Sequence, residues 1–167
     1  MTCVVRVISG GQTGADQGAL FAAEILGIPT GGWMPRGFRT ETGPRPDFAQ
    51  RFGLKEHPSP NYPPRTEANV READATLIFG NPAERGSALT ARICGRLRRP
   101  ARHVLWSTPA GVMEFDPRFR EWLDGIYPGG SEFEITLNVA GNTESHNPGI
   151  TDACRDFLLK QFTLTST

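Results

Sequence analysis

Apolar positions along the chain fall into short β-branched runs that alternate with stretches of helical spacing. Val4 to Ile8 reads as a buried strand, and residues 14–26 as a helix. That helix carries Ala15, Gly18, Ala19, Ala22 and Ala23, small side chains that let it lie close to a sheet, and Gly27-Ile28-Pro29 stops it. Thr30 to Pro64 reads as one long loop rich in Gly, Pro, Arg and Thr, with a short strand from Leu54 to His57. A short helix is expected from Thr66 to Ala73, with Thr66 in the capping position. Ala75 to Phe79 is a second buried strand. Gly86 to Arg98 is a loop running into a helix, and His103 to Trp106 a third strand. Residues 117–126 place Phe119, Trp122, Leu123 and Ile126 on one helical face. Glu134 to Ala140 is a fourth strand, opening into a polar loop, Gly141 to Gly149. Ile150, Ala153, Cys154, Phe157, Leu158 and Gln161 then mark the clearest helix. Residues 1–162 are expected to form a single domain and 163–167 a frayed tail.

Strands alternating with helices predict an α/β domain with a mostly parallel sheet. In such folds ligands sit at the carboxyl ends of the strands. The loops expected to gather there follow Ile8, Phe79, Trp106 and Ala140.

The first of these loops, Gly10-Gly11-Gln12-Thr13-Gly14-Ala15-Asp16, is glycine-rich and opens a helix. A strand–loop–helix unit of this kind aims backbone N–H groups and a helix dipole at one point, which suits a phosphate. It is neither a Walker A loop nor a dinucleotide fingerprint. Asp16 opposes a bound phosphate. It is either an acid favoured by the helix dipole, or a base, a metal ligand or an acceptor for an amine. A second cluster, Gly31 to Glu41, sets Trp33 beside glycines as a flat surface for a ring, unless it folds onto the core. Arg36 in that cluster can meet a phosphate in bidentate fashion. Arg65 and Asn69 form a third cluster, as ligand partners or as helix-end features. Gly86, Ser87 and Thr90 repeat the logic of the first loop at a second helix start. Asn142, Glu144 and Ser145 either line the cleft or build turns.

Composition narrows the classes. A formal net charge of zero argues against a broad nucleic-acid footprint, and the Arg96, Arg98, Arg99 and Arg102 cluster reads as a solvated helix end. No apolar run approaches the roughly 18 residues of a membrane span, and no signal peptide is visible. Cys3, Cys94 and Cys154 are odd in number and widely spaced, which fits a reducing cytoplasm. His57, His103 and His146 stand alone, so no metal site is expected. No Ser-His-Asp or Cys-His pairing and no carboxylate pair can be read, which weighs toward binding over catalysis.

Taken in order, the clusters Gly10–Asp16, Gly31–Gly37 with Glu41, Arg65–Ile78, Gly86–Thr90 and Asn138–Gly141 with Glu144-Ser145 and Pro148–Ile150 resemble the molybdenum (molybdopterin) cofactor carrier family. That family lies within a Rossmann-like nucleotide-binding set that includes the lysine-decarboxylase-like proteins. The resemblance implies a Rossmann-like three-layer sandwich, cytoplasmic and homo-oligomeric, that binds the molybdenum cofactor without transforming it. Its partners would be molybdenum enzymes or cofactor-synthesis proteins. Gly10–Gly14 or Gly86–Thr90 would take the phosphate, with Trp33 and the residues near Asn142 facing the pterin. The chain departs from the family pattern at Gly86-Ser87-Ala88, where a second glycine is replaced, and at Asn142-Thr143, where an arginine is lost. Two other readings stay open: a nucleotide-processing enzyme such as a phosphoribohydrolase, with Glu84 or Asp16 replacing the acid missing after Thr90, and a nucleotide-binding sensor module.

Overall fold

A computed structural model describes residues 1–106, 115–129 and 131–163. Its elements in chain order are β1 (Thr2–Ile8), α1 (Ala15–Leu26), β2 (Thr30–Met34), β3 (Arg39–Thr40), β4 (Gly43–Pro44), α2 (Asp47–Phe52) and β5 (Leu54–Glu56). There follow α3 (Tyr62–Glu72), β6 (Ala75–Phe79), α4 (Arg85–Leu97), β7 (Ala101–Val104), α5 (Pro117–Ile126), β8 (Phe133–Gly141) and α6 (Ile150–Thr163). Six strands form one sheet in the order β5-β2-β1-β8-β6-β7, and each neighbouring pair in it is parallel. β3 and β4 form a separate antiparallel hairpin.

The central strand β6 is buried on both faces because helices cover both. All five residues of β6 are buried. Leu77 and Phe79 of β6 join Leu137 and Val139 of β8 in a core shared with Ala15, Ala19 and Ala22 of α1, Phe119 and Leu123 of α5, and Phe157 and Leu158 of α6. The alternate residues Thr76 and Asn138 are also buried, and Asn138 Nδ2 donates to Thr76 Oγ1 at 3.3 Å. Val70 of α3 packs with Ile93 and Cys94 of α4 in a separate cluster. A third cluster ties Leu20 of α1 to Met34, Phe48, Phe52 and Leu54 at the β2–β5 edge. The alanines of α1 do what their size predicts. Its one internal glycine, Gly18, lies so near α6 that a Cβ there would stand 2.3 Å from the Thr151 carbonyl oxygen.

Several elements differ from the sequence reading. The stretch from Thr30 to Pro64 is not one loop; it holds β2, the β3–β4 hairpin, α2 and β5. Glycines weaken the strand signal of Thr30-Gly31-Gly32-Trp33-Met34, but Gly31 is buried against the Arg6 guanidinium and Gly32 against the Ser9 backbone. Helix α3 begins at Tyr62, with Pro63 and Pro64 in its first turn, where proline costs no hydrogen bond. Thr66 is therefore no cap; its hydroxyl donates to the Tyr62 carbonyl at 3.0 Å. α4 begins at Arg85, so Gly86 to Thr90 lie within the helix. β7 ends at Val104, so the third strand is displaced toward the N-terminus. The tail beyond Thr163 lies outside the described residues.

Candidate functional site

The carboxyl ends of β1, β8 and β6 meet at a cleft of about 180 Å³. It is lined by Gln12 and Asp16 from the opening loop and α1, by Tyr62, Arg65 and Thr66 from α3, by Gly86, Leu89 and Thr90 from α4, by Ala140 and Gly141 at the end of β8, and by Thr143 after it. That is where the topology of a parallel α/β sheet gathers its loops.

The opening loop turns its polar groups inward. Gly11 N donates to Ser9 Oγ at 3.2 Å, Gln12 N to Asp16 Oδ2 at 3.3 Å, and Thr13 N to Gln12 Oε1 at 3.0 Å. Ala15 N donates to the Asn142 carbonyl at 3.1 Å. Asp16 thus takes the Gln12 amide, and Ser9, Gln12 and Asn142 take the other three, which leaves none of these four for an exogenous anion. Asp16 is only 4% exposed. Burial pushes its carboxyl above the ordinary range, and Arg65 with the amides of Gln12 and Gly10 offsets only part of that shift.

Arg65 is 9% exposed, and its Nη1 lies 3.6 Å from Asp16 Oδ2. That separation is an ion pair without a hydrogen bond. The Nε of Arg65 is buried with no hydrogen-bond partner among the described residues. Its guanidinium lies 5.5 Å from the Tyr62 ring centre. A buried guanidinium with an unmet donor is costly unless an acceptor reaches it. Across the cleft, no side chain caps the start of α4, and nothing approaches within 4 Å of where a Cβ on Gly86 would stand. Thr90 Oγ1 donates back to the Gly86 carbonyl at 2.9 Å.

A larger groove of about 520 Å³ runs beside the cleft along α3 and α4, and Leu89 borders both. Its central charges are matched internally: Glu67 accepts from Arg71 at 2.7 Å and also from Arg96. The smaller cleft is the better candidate site because it holds a buried ion pair without a hydrogen bond and a buried guanidinium nitrogen left without an acceptor.

The family model described as "Circularly permutated YpsA SLOG family" matches residues 7–162. The chain belongs to this family. It is also similar to the crystal structure of a protein from Syntrophus aciditrophicus SB named "Putative molybdenum carrier protein", with 34% sequence identity and a TM-score of 0.80. That likeness covers 96% of this chain and 95% of the other. No curated protein matches the chain. Permutation is visible in the sheet. Counted with β8 first, the strands run 4-3-2-1-5-6 across it, a doubly wound order whose direction reverses between β8 and β6. The cleft lies at that reversal. In this permuted member, the Asn142–Gly149 segment between β8 and α6 holds the place of a first strand-to-helix loop.

The residues expected from sequence fall into three groups. Gln12, Asp16, Arg65, Gly86 and Thr90 come together around the cleft. A second group builds its walls. Asn142 Nδ2 donates to Ser87 Oγ at 2.9 Å and to the Asn81 carbonyl at 3.0 Å, while its Oδ1 accepts from Asn81 N at 2.5 Å. Gly14 lets the chain pass Asn142, since a Cβ on it would stand 2.2 Å from the Asn142 carbonyl oxygen. Glu144 accepts from Gly149 N at 2.5 Å and from Thr151 N at 3.0 Å, closing the start of α6. Ser145 Oγ donates to Glu41 Oε2 at 2.6 Å, and Thr13 Oγ1 donates to the same carboxylate, which ties the hairpin to both loops. Gly10 and Gly11 provide close backbone approach, to Arg65 and Met34 respectively.

The third group stands apart from the lining. Trp33 Nε1 donates to Glu72 Oε2 at 2.9 Å, with Lys55 4.5 Å over its ring. Asn69 brackets the Trp33 backbone, accepting from its N–H at 2.8 Å and donating to its carbonyl at 3.1 Å, as a neighbouring strand would. Arg36 is exposed. Leu89, Ala140, Gly141 and Thr143 line the cleft from within the clusters read from sequence, though none was itself a candidate, and Tyr62 lines it from outside them. Tyr62 had one available signal, since Tyr-Pro-Pro-Arg marks a helix start.

Proposed function

We propose that this protein holds a phosphorylated small cofactor of the molybdenum-cofactor class in the β1–β8–β6 cleft and carries it without transforming it. The observation that carries this reading is Arg65: a buried guanidinium lining the cleft, ion-paired to Asp16 without a hydrogen bond, whose Nε has no acceptor among the described residues. The name of the Syntrophus protein supports the ligand class. Gly86 and Thr90 at the start of α4 suit the phosphate, since the helix dipole favours an anion there and no side chain occupies the position. The cleft is smaller than the ~300–1,000 Å³ of pockets that engulf a whole drug-sized ligand. One part of the cofactor would be seated and the rest would run past Leu89 toward the α3–α4 groove. Among the described residues no group of three His, Cys, Asp or Glu side chains is placed to hold a metal ion. Molybdenum would therefore be brought by the cofactor's own dithiolene. The carrier would hand its cargo to enzymes that use or complete it, and a homo-oligomer is the expected form.

The test is retention. The purified chain is incubated with molybdenum cofactor released from a molybdoenzyme, desalted, oxidised and read by pterin fluorescence. About one pterin per chain is expected, with Arg65→Met retaining little. No retained pterin overturns the proposal. A second reading, a nucleotide-processing enzyme, draws on the raised carboxyl of Asp16 inside the cleft. Base release from a nucleoside monophosphate, abolished in Asp16→Asn, would replace the carrier with that enzyme.

A further inference from the structure

Asp16 and Arg65 stand side by side in the cleft, yet they do not hydrogen-bond to each other. Buried ion pairs are ordinarily closed by direct hydrogen bonds, because both charges have left water. Here a carboxylate and a row of guanidinium donors face the same space, 3.6 Å apart. A phosphate is a poor occupant of that spot: the carboxylate that neighbours the guanidinium would repel it, and the opening-loop amides are already taken. A donor row beside an acceptor pair complements a neutral edge that presents one acceptor followed by two donors.

We propose that the Asp16–Arg65 pair reads the C=O, N–H and NH2 edge of a 2-amino-4-oxopyrimidine fused ring, the edge shared by guanine and pterins. The ring carbonyl accepts from Arg65, and the ring N–H and exocyclic amine donate to the two oxygens of Asp16. Tyr62 and Leu89 supply apolar surface for the ring. Gln12 and Thr143 lie on the same lining. The ligand's phosphate is then left to the first turn of α4 at Gly86, which lines the same cleft. This rests on the reading of the cleft as a small-molecule site, and it assigns the opening loop to the ring instead of the anion.

The experiment is calorimetric titration of the full chain with GMP, IMP, AMP and inorganic phosphate. GMP presents the whole edge, IMP lacks the exocyclic amine, and AMP offers a donor where Arg65 needs an acceptor. GMP is expected to bind on the order of tenfold or more tighter than IMP, with AMP weaker still, because each mismatch leaves a buried group unpaired. Asp16→Asn should bring the GMP-to-IMP ratio below threefold, and Arg65→Met should weaken GMP and IMP together. Each variant's fold is checked by circular dichroism. GMP binding no tighter than AMP, or no tighter than inorganic phosphate, overturns the inference, as does absence of GMP binding. If cofactor retention persists in any of those outcomes, the carrier reading stands alone; if retention is also absent, both fall.

Discussion

Arg65 lies directly on the bare backbone of Gly10: a Cβ on that glycine would stand 1.7 Å from Arg65 Nη1 and 2.8 Å from Asp16 Oδ2. The cleft's charged pair therefore depends on an absent side chain. Gly10→Ala should expel the guanidinium, whose flexible end can swing away at modest cost. Folding stability is expected to fall by no more than about 2 kcal/mol in urea denaturation, while cofactor retention drops at least tenfold. Gly14→Ala should behave differently. Its methyl would meet the Asn142 carbonyl, which is backbone, at a residue with φ of 88°. There the fold itself should lose about 3 kcal/mol or more.

Asn142 is expected to matter for stability before binding. Its amide joins the end of β8 to Asn81 after β6 and to Ser87 in α4. Asn142→Ala leaves the Asn81 N–H and carbonyl and the Ser87 hydroxyl without their partner. A loss of about 2–4 kcal/mol follows from buried groups left unpaired, read as a lower urea midpoint with unchanged slope.

Glu144 predicts a pH dependence. Burial works against its ionisation, but hydrogen bonds from Thr151 and Gly149 outweigh it, and its carboxyl sits below the ordinary glutamate range. A carboxyl lowered in the folded state adds stability above its unfolded pKa, and that contribution disappears as pH falls through the folded value. Glu144→Gln should cost about 1 kcal/mol at neutral pH, as loss of a helix-start partner does. It should also flatten the loss of stability below about pH 4.3. Thermal melts of both proteins from pH 7 to pH 3 give the comparison. Equal acid slopes would remove Glu144 from the account.

Trp33→Phe separates the cleft from the neighbouring strand edge. The indole N–H serves Glu72, which also accepts from Arg6 at 3.0 Å. The substitution should cost about 1.5–3 kcal/mol of stability for one lost hydrogen bond to a charged group. Cofactor retention should stay within twofold of wild type. A tenfold loss would place Trp33 in contact with the ligand.

The amino-acid sequence by itself determined the α/β alternation, the parallel sheet and the presence of a glycine-rich turn after β1. Those features are local: β-branched runs, helical spacing and glycines are written in neighbouring residues. It also brought Gln12, Asp16, Arg65, Gly86 and Thr90 forward as candidates, because each sits near a helix start. Only the tertiary structure decided which of them share a space. Arg65 meets Asp16 because α3 packs its first turns against the opening loop, and Asn142 meets Ser87 because β8, late in the chain, inserts between β1 and β6. No local pattern encodes that insertion. It follows from which strand pairings bury the most apolar surface and satisfy the backbone, a property of the whole sheet. The same insertion turned the first glycine loop inward, spending its amides on Ser9, Asp16 and Asn142 and leaving the start of α4 open to an anion.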